Sequence, residues 1–267
     1  AGTHTKYYGG QVHPLPLRQE NGFLPDFESV SDEVWQRTKL LVLNYPNSPT
    51  GKTATVDFYS RVIELAHQHQ FVVVQDAAHI LLTYDAQPLS FLSVPGAKEV
   101  GVEVHSLSKG FNMIGWRIGW VCGHSRLLSA FADVKDNCDS GQFNAIQMAA
   151  AKALDNDWLA DEVRKKYQRR LVKLVAALRD CGFDCQMPGG TYFLYTRAPR
   201  VAGNIAFSDA EQASQHLIRE QSIVTVPWNE AGSYLRFSVT YEAADEAAED
   251  ALMAETRRRL SSLDLGF

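Results

Sequence analysis

Three short hydrophobic runs in the first half of the chain are each followed by a polar segment. The runs are residues 40–43, 71–74 and 100–104. Each run is continuous, which is typical of strands buried on both faces of a parallel sheet. Between the first two runs, apolar residues recur at helical spacing, and Thr55 is a suitable N-cap. The apolar positions of this predicted helix are Val56, Tyr59, Val62, Ile63 and Ala66.

The order strand, helix, strand predicts where the polar segments lie. It favours parallel neighbouring strands, because the crossover helix returns the chain to the same end of the sheet. The segments that follow the three runs should therefore meet at the carboxyl edge, where open α/β sheets bind ligands. Residues 118–122 predict a further strand.

The second half of the chain contains long helical patterns and then shorter mixed elements. Helices are predicted at residues 145–154 and 158–181, with Gly182 as the stop of the second. Ser208 and Glu211 have the spacing of a capping box at the start of a further helix. Three strands are predicted, at residues 191–196, 223–226 and 235–239. The last predicted helix begins near residue 242 and ends in three arginines.

We therefore predict two domains. Residues 1–157 should form an α/β domain with a mostly parallel sheet and helices on both faces. Residues 158–267 should form a smaller C-terminal α+β domain that includes the long connecting helix.

Composition narrows the class of function. The 267 residues are 45% hydrophobic, so they can bury a sizeable core. The formal net charge of −5 gives no basic surface for nucleic acid or an anionic membrane. No apolar run reaches the roughly 18 residues needed to cross a bilayer. We therefore expect a cytoplasmic protein that acts on small molecules.

The cysteines predict neither a disulfide framework nor a metal site. They are scattered singly through a chain of this size and lack a second pair of zinc ligands. They are Cys122, Cys138, Cys181 and Cys185.

Four side chains beyond the third hydrophobic run suit a phosphate and an aldehyde together. Ser106, Ser108, Lys109 and Arg117 combine hydroxyl donors, a primary amine and a guanidinium. Hydroxyls and a forked guanidinium donate to phosphate oxygens, and a suitably placed amine forms an imine with an aldehyde. A serine-lysine loop alone is usually only a loop, so the prediction depends on the joint occurrence of these groups.

An acid and an amide occur in the other two polar segments. Asp76 ends the second predicted strand and would need a positive partner to stay charged in a buried site. A protonated pyridine nitrogen would be such a partner, although an aspartate at a strand end is about as often a helix cap. Asn47 could donate a hydrogen bond to a phenolic oxygen of the same ring.

Three segments, taken in order and at their spacing, resemble class I/II aminotransferases. They are NYPNSPTG at residues 44–51, DAAH at residues 76–79 and SLSKGFNMIGWRIG at residues 106–119. Two later segments, GGTYF at residues 189–193 and YLRFS at residues 234–238, are similar to the small-domain strands of the same family. The resemblance covers nearly the whole chain and implies the aspartate-aminotransferase fold with pyridoxal 5′-phosphate (PLP) as cofactor.

The resemblance implies a role for each of these residues. Lys109 would hold PLP as a Schiff base and shuttle protons, Asp76 would pair with the pyridine nitrogen, and Asn47 would bind the ring oxygen. In the small domain, Arg236 would clamp the substrate α-carboxylate in a forked geometry, and Asn47 would also contact the substrate. The phosphate would be bound by Ser106, Ser108 and Arg117.

The chain departs from the family pattern in two places. His79 occupies the position of a tyrosine that donates to the ring oxygen; an imidazole could donate the same bond, or His79 could be a core histidine. The N-terminal arm of the family, and its glycine-rich turn for the phosphate, would precede Ala1. We therefore expect the chain to be truncated or a fragment.

The resemblance implies transamination between an L-amino acid and a 2-oxo acid. DSGQF at residues 139–143 and VPW at residues 226–228 are similar to LL-diaminopimelate aminotransferases and their relatives in lysine biosynthesis. Aromatic amino acids, alanine and aspartate are alternative donors. The same scaffold also supports PLP-dependent carbon-sulfur lyases that catalyse β-elimination, ring-forming enzymes and gene regulators, and a catalytically silent fragment is a further alternative. Members of the family are usually homodimers, so a homodimer is expected.

Overall fold

The structure, a computed structural model, describes residues 2–267 and divides into two units. Unit 1 consists of Ala1–Pro46, Thr53–Leu81 and Gln87–Asp161. Unit 2 consists of Asn47–Lys52, Leu82–Ala86 and Glu162–Phe267. Two short segments from the first half of the chain thus belong to unit 2. No helix within residues 2–267 is both long enough and apolar enough to span a membrane.

The structure contains ten α-helices and ten strands within residues 2–267. The α-helices are α1 Gly2–Tyr7, α2 Asp32–Arg37, α3 Val56–His69, α4 Ala97–Val100, α5 Leu107–Gly110, α6 Ser125–Cys138, α7 Asn144–Leu154, α8 Asp157–Arg179, α9 Ala210–Gln221 and α10 Glu246–Ser261. The strands are β1 Leu40–Asn44, β2 Val72–Asp76, β3 Gly101–Ser106, β4 Gly119–Gly123, β5 Phe193–Arg197, β6 Val201–Ala202, β7 Ile205–Ala206, β8 Val226–Trp228, β9 Tyr234–Ser238 and β10 Leu265–Gly266.

Unit 1 contains a four-stranded sheet in the order β1-β2-β3-β4. The pairs β1·β2 and β2·β3 are parallel, whereas β4 runs antiparallel to β3. The predicted α/β class with a mostly parallel sheet is therefore confirmed. Asn44 pairs with Asp76, and Asp76 pairs with Val104, so the ends of the three parallel strands lie at one edge of the sheet.

The core of unit 1 lies between α3 and one face of this sheet. The hydroxyl of Thr55 caps α3 by accepting a hydrogen bond from Phe58 N–H at 3.2 Å, as predicted. The buried cluster contains Leu41, Leu43 and Val73 from the sheet. From α3, the cluster contains Phe58, Tyr59, Val62, Ile63, Leu65 and Ala66, and Phe71, two residues after the helix, joins them.

The expectation that the first strand is buried on both faces is wrong. In β1, Leu41 and Leu43 are buried, but Leu40 is 48% exposed and Val42 is 43% exposed. Successive side chains of a strand point to opposite faces, and the core cluster occupies only the face that carries Leu41 and Leu43. A continuous apolar run did not distinguish these two situations.

Unit 2 contains two small antiparallel sheets and the long helix α8. The sheets have the orders β5-β9-β8 and β10-β6-β7. Its core cluster combines side chains of α8, α9 and the first sheet. Fully buried members are Leu171, Leu178, Leu194, Leu217 and Leu235.

The predicted capping box of α9 is displaced by one residue. The carboxylate of Asp209, not the hydroxyl of Ser208, caps the helix by accepting from Gln212 N–H at 2.9 Å. The side-chain oxygen of Gln212 accepts in turn from Ser208 N–H at 3.1 Å. Aspartate caps a helix as well as serine does, so the spacing alone left two frames open, and Glu211 is not the reciprocal partner.

A buried ionic cluster connects α8 to α10 within unit 2. Arg170 and Glu249 are each 2% exposed, and Arg170 Nε lies 2.7 Å from a carboxylate oxygen of Glu249. Arg169 donates two hydrogen bonds of 3.0 Å to the same carboxylate, and Lys173 Nζ lies 3.4 Å from it. Arg170 also donates to the carbonyl oxygen of Val239 at 3.2 Å.

Candidate active site

The carboxyl edge of the unit 1 sheet carries Asp76. Asp76 is the last residue of β2 and is partly buried. One carboxylate oxygen accepts from Ala78 N–H at 3.0 Å, which fixes the orientation of the side chain. Its backbone carbonyl oxygen accepts from Asn44 Nδ2 at 3.0 Å and from Gln75 Nε2 at 3.2 Å. The acid is therefore held in place at the edge.

Gln75 is a residue that the sequence analysis did not single out. It is 1% exposed, and its Nε2 also donates to the carbonyl oxygen of Tyr45 at 2.5 Å. Gln75 thus connects the end of β2 to the segment that follows β1. The sequence signal that could have identified Gln75 is its position directly after the apolar run at residues 71–74, where a polar side chain is unusual.

The predicted lysine, Lys109, lies in the connection between β3 and β4, which begins with the short helix α5. Ser106 ends β3, and its hydroxyl oxygen accepts from Ser108 N–H at 3.1 Å, which starts α5. Lys109 is the third residue of α5 and is partly buried, and Ser108 is buried. Because Asp76 pairs with Val104, Ser106 lies two residues further on the same face of the sheet.

Arg117 lies at the far end of this loop. It has a left-handed backbone conformation, with φ of 53°, and it is exposed. Its Nη1 donates to the carbonyl oxygen of Ile114 at 2.9 Å. Gly119, two residues later, pairs with Ser106, so the two ends of the loop are adjacent.

His79 is 5% exposed and lies in the turn after Asp76, where Ile80 N–H donates to the carbonyl oxygen of Ala77 at 2.9 Å. Its burial in this turn is compatible with both roles considered for it, a donor to the ring oxygen and a core histidine. Its role stays a prediction.

Asn47 belongs to unit 2 and is 7% exposed. Its side-chain oxygen accepts from Thr50 Oγ1 at 2.8 Å and from Thr50 N–H at 3.3 Å. The hydroxyl of Thr50 accepts from Lys52 N–H at 3.3 Å, so its own hydrogen is directed to Asn47. This network sets the orientation of the carboxamide, whose Nδ2 is the group that can donate. Sequence reasoning gave Thr50 no role.

Arg236 also belongs to unit 2 and lies in the central strand β9. Its Cζ lies 4.0 Å from the ring centre of Phe193. Burial lowers the pKa of Arg236 from its ordinary value, and the nearby Tyr192 opposes this effect. Within residues 2–267, Arg236 forms no ion pair with a carboxylate. A partly desolvated guanidinium of this kind is suited to bind an anion.

The predicted site residues thus form two groups, each within one unit. Unit 1 holds six of them: Asp76, His79, Ser106, Ser108, Lys109 and Arg117. Unit 2 holds Asn47 and Arg236.

Comparison with known proteins decides the family. The model of the family "Aminotransferase class I and II" matches residues 3–252. The chain belongs to this family. The family predicted from the sequence motifs is therefore confirmed.

Curated relatives of this aminotransferase family member include LL-diaminopimelate aminotransferases. That of Methanocaldococcus jannaschii is 50% identical over 273 residues, which cover 99% of this chain and 65% of the relative. That of Methanococcus maripaludis is 46% identical, with 99% and 65% covered. The chain thus spans about 65% of the length of these curated relatives.

Solved structures share the fold of this chain. Substrate-bound BacF from Bacillus subtilis superimposes with a TM-score of 0.89 at 29% identity, covering 98% of this chain and 65% of BacF. A double mutant of Thermus thermophilus aspartate aminotransferase gives a TM-score of 0.81 at 27% identity, covering 95% of this chain and 65% of that protein. The predicted aspartate-aminotransferase fold is therefore confirmed.

Proposed function

We propose that the protein catalyses PLP-dependent transamination between an L-amino acid and a 2-oxo acid, with LL-diaminopimelate as donor and 2-oxoglutarate as acceptor. The reaction type is supported by the edge of the unit 1 sheet. There Asp76 ends β2 with its carboxylate held by a backbone N–H, and the segment that contains Lys109 follows the adjacent strand β3. The donor is supported by the curated relatives, which are LL-diaminopimelate aminotransferases at up to 50% identity.

The side chains of unit 1 fit PLP by their chemistry. A carboxylate with one oxygen held by a backbone N–H can pair with a cationic ring nitrogen, so Asp76 would hold the pyridine nitrogen. Ser106, Ser108 and Arg117 offer hydroxyl and guanidinium donors to a phosphate. A partly buried primary amine can bond to an aldehyde, so Lys109 would hold the cofactor covalently.

Lys109 would act in the reaction as general acid and base. Bound PLP supplies an electron-withdrawing ring that weakens the Cα–H bond of the amino acid. Once the incoming amino group has displaced it, the ε-amino nitrogen of Lys109 would remove the proton from Cα. It would then donate the proton to C4′ of the cofactor, acting as the general acid.

Two residues of unit 2 would bind the substrate. Arg236 would bind the α-carboxylate through two parallel N–H bonds, a role supported by its partial burial and by the lack of an ion pair with any carboxylate of residues 2–267. Asn47 would donate from Nδ2 to the ring oxygen and to the substrate. This role is supported because its side-chain oxygen already accepts a hydrogen bond from Thr50, which leaves Nδ2 as the group that donates.

We further propose that the protein works as a homodimer in the cytoplasm, as is usual for the family. Large apolar side chains at the N-terminal end of α7, within α7 and at the start of α8 support an interface: Phe143 is 71% exposed, Met148 is 74% exposed and Trp158 is 62% exposed. Sedimentation velocity should therefore give a species of twice the chain mass; a monomer at micromolar concentration would contradict the proposal.

The proposed activity is tested by spectroscopy and product analysis. Purified protein should show a visible band with PLP, and Lys109→Ala should abolish it. Addition of LL-diaminopimelate and 2-oxoglutarate should then produce glutamate, with L-glutamate and an oxo acid as the reverse test. Ammonia with pyruvate would indicate β-elimination instead. A protein without any PLP spectrum would be a catalytically silent fragment.

A further inference from the structure

β3 contains a buried carboxylate that the proposed reaction does not use. Glu103 is 1% exposed, and one of its oxygens accepts from Ser90 Oγ and from His105 Nε2, both at 2.8 Å. Its other oxygen accepts from Phe91 N–H at 2.6 Å. The hydroxyl of Ser90 accepts from Leu92 N–H at 3.2 Å, so its hydrogen is directed to Glu103. Three donors therefore converge on one carboxylate.

His105 transmits this anchoring to the neighbouring strand. Its ring stacks on Trp120 of β4, with a centroid distance of 5.0 Å and an angle of 3° between the rings. His105 and Trp120 are paired residues of the ladder, and the next pair is Ser106 with Gly119. Those last two residues flank residues 107–118, the loop that contains the lysine.

Stability alone does not explain a charge at this position. Burial of an ion is costly before its hydrogen bonds compensate, and apolar residues often replace buried ionic groups without loss of stability. What a carboxylate adds is direction, because each of its donors must lie at a fixed angle and distance. Glu103 thereby sets the position of His105, and so of the last ladder pair before the loop.

We propose that Glu103 and His105 are positioning residues for the loop at residues 107–118, which they hold in place through the His105–Trp120 stack. Neither residue needs to touch the cofactor or the substrate. The effect of the loop on cofactor binding rests on the proposed function, whereas the order of the loop itself does not.

Two variants separate this role from a general contribution to folding. Glu103→Gln puts an amide donor against one of the three donors, and His105→Phe keeps an aromatic ring on Trp120 but removes the bond to Glu103. The matched control is Glu249→Gln, which alters a carboxylate that is also buried, at 2% exposed, but lies in unit 2. If Glu103→Gln does not fold, His105→Phe decides.

The first measurement is amide hydrogen exchange of residues 107–118 in the absence of PLP. Leu107 N–H donates to Ile118 O at 3.4 Å, and Phe111 and Met113 N–H donate to Leu107 O at 3.3 Å, so these amides report the order of the loop. Exchange should become about tenfold faster in both variants, equivalent to ~1.4 kcal/mol, and remain within about twofold in the control.

The second measurement is the dissociation constant of PLP, which should rise about tenfold in both variants and not in Glu249→Gln. Unchanged exchange of the loop in both variants would overturn the inference, as would an equal effect of the Glu249→Gln control. If the wild-type chain binds no PLP, the proposed function fails, but the exchange experiment still decides the positioning role. If the wild-type chain binds PLP but neither variant changes the exchange of the loop, only the positioning role fails.

Discussion

Replacement of Glu249 by Gln should destabilise unit 2 and remove part of its pH dependence. Hydrogen bonds from Arg169, and then from Arg170, hold the pKa of Glu249 at about 2, against an ordinary value of 4.5. The variant has a side chain of similar shape but lacks the negative charge. Arg170, which is 2% exposed, would then lose its carboxylate partner.

The magnitude follows from the pKa of Glu249. A difference of about 2.5 pH units, at ~1.4 kcal/mol for each, corresponds to a free energy of about 3 kcal/mol. Because the pKa is lower in the folded state, this contribution is complete above about pH 4.5 and is lost as the pH falls towards 2. We therefore expect Glu249→Gln to reduce the free energy of unfolding of unit 2 by about 3 kcal/mol near pH 7.

The assay must follow unit 2 separately, because a chain with two units need not unfold in one step. Denaturant-dependent hydrogen exchange of peptides from α8 and α10 provides this measurement. The matched control is Glu255→Gln on the same helix. Arg258 and Arg259 also lower the pKa of Glu255 to about 2, but its side chain is 38% exposed, so solvent screens the interaction and stability should hardly change.

Two results would refute this reasoning. The first is an equal loss of stability in the Glu249 and Glu255 variants. The second is a difference in the free energy of unfolding between wild type and Glu249→Gln that stays constant from about pH 7 to about pH 2.5. Protonation of Glu249 in the wild type should remove most of this difference at the lower pH.

Two further predictions concern unit 2. Phe193→Leu removes the ring against which Arg236 packs, so the KM for amino acids should rise about three- to tenfold with little change in kcat, and Phe193→Tyr should retain wild-type values; a normal KM in the Leu variant would contradict this. Gly51→Ala should lower the melting temperature more than Gly203→Ala. Both glycines have positive φ, but a Cβ at residue 51 would lie 2.4 Å from Pro188 Cβ, whereas nothing lies within 4 Å at residue 203.

The sequence by itself determined the features that depend on short-range order. Hydrophobic runs, a helical period and Thr55 as a cap located β1, α3 and β2 to within one or two residues. The spacing of the motifs around Asp76 and Lys109 was sufficient to identify the family, because these motifs are continuous segments of chain. The same local information left the cap of α9 open between Ser208 and Asp209.

Only the tertiary structure decided which distant side chains meet. Arg170 and Glu249 are 79 residues apart, and Ser90 reaches Glu103 across 13 residues. Likewise, Leu41 is buried and Leu40 exposed within one apolar run. The physical reason is that periodicity reports how a segment folds on itself, whereas burial and hydrogen-bond partners depend on which other segments pack against it.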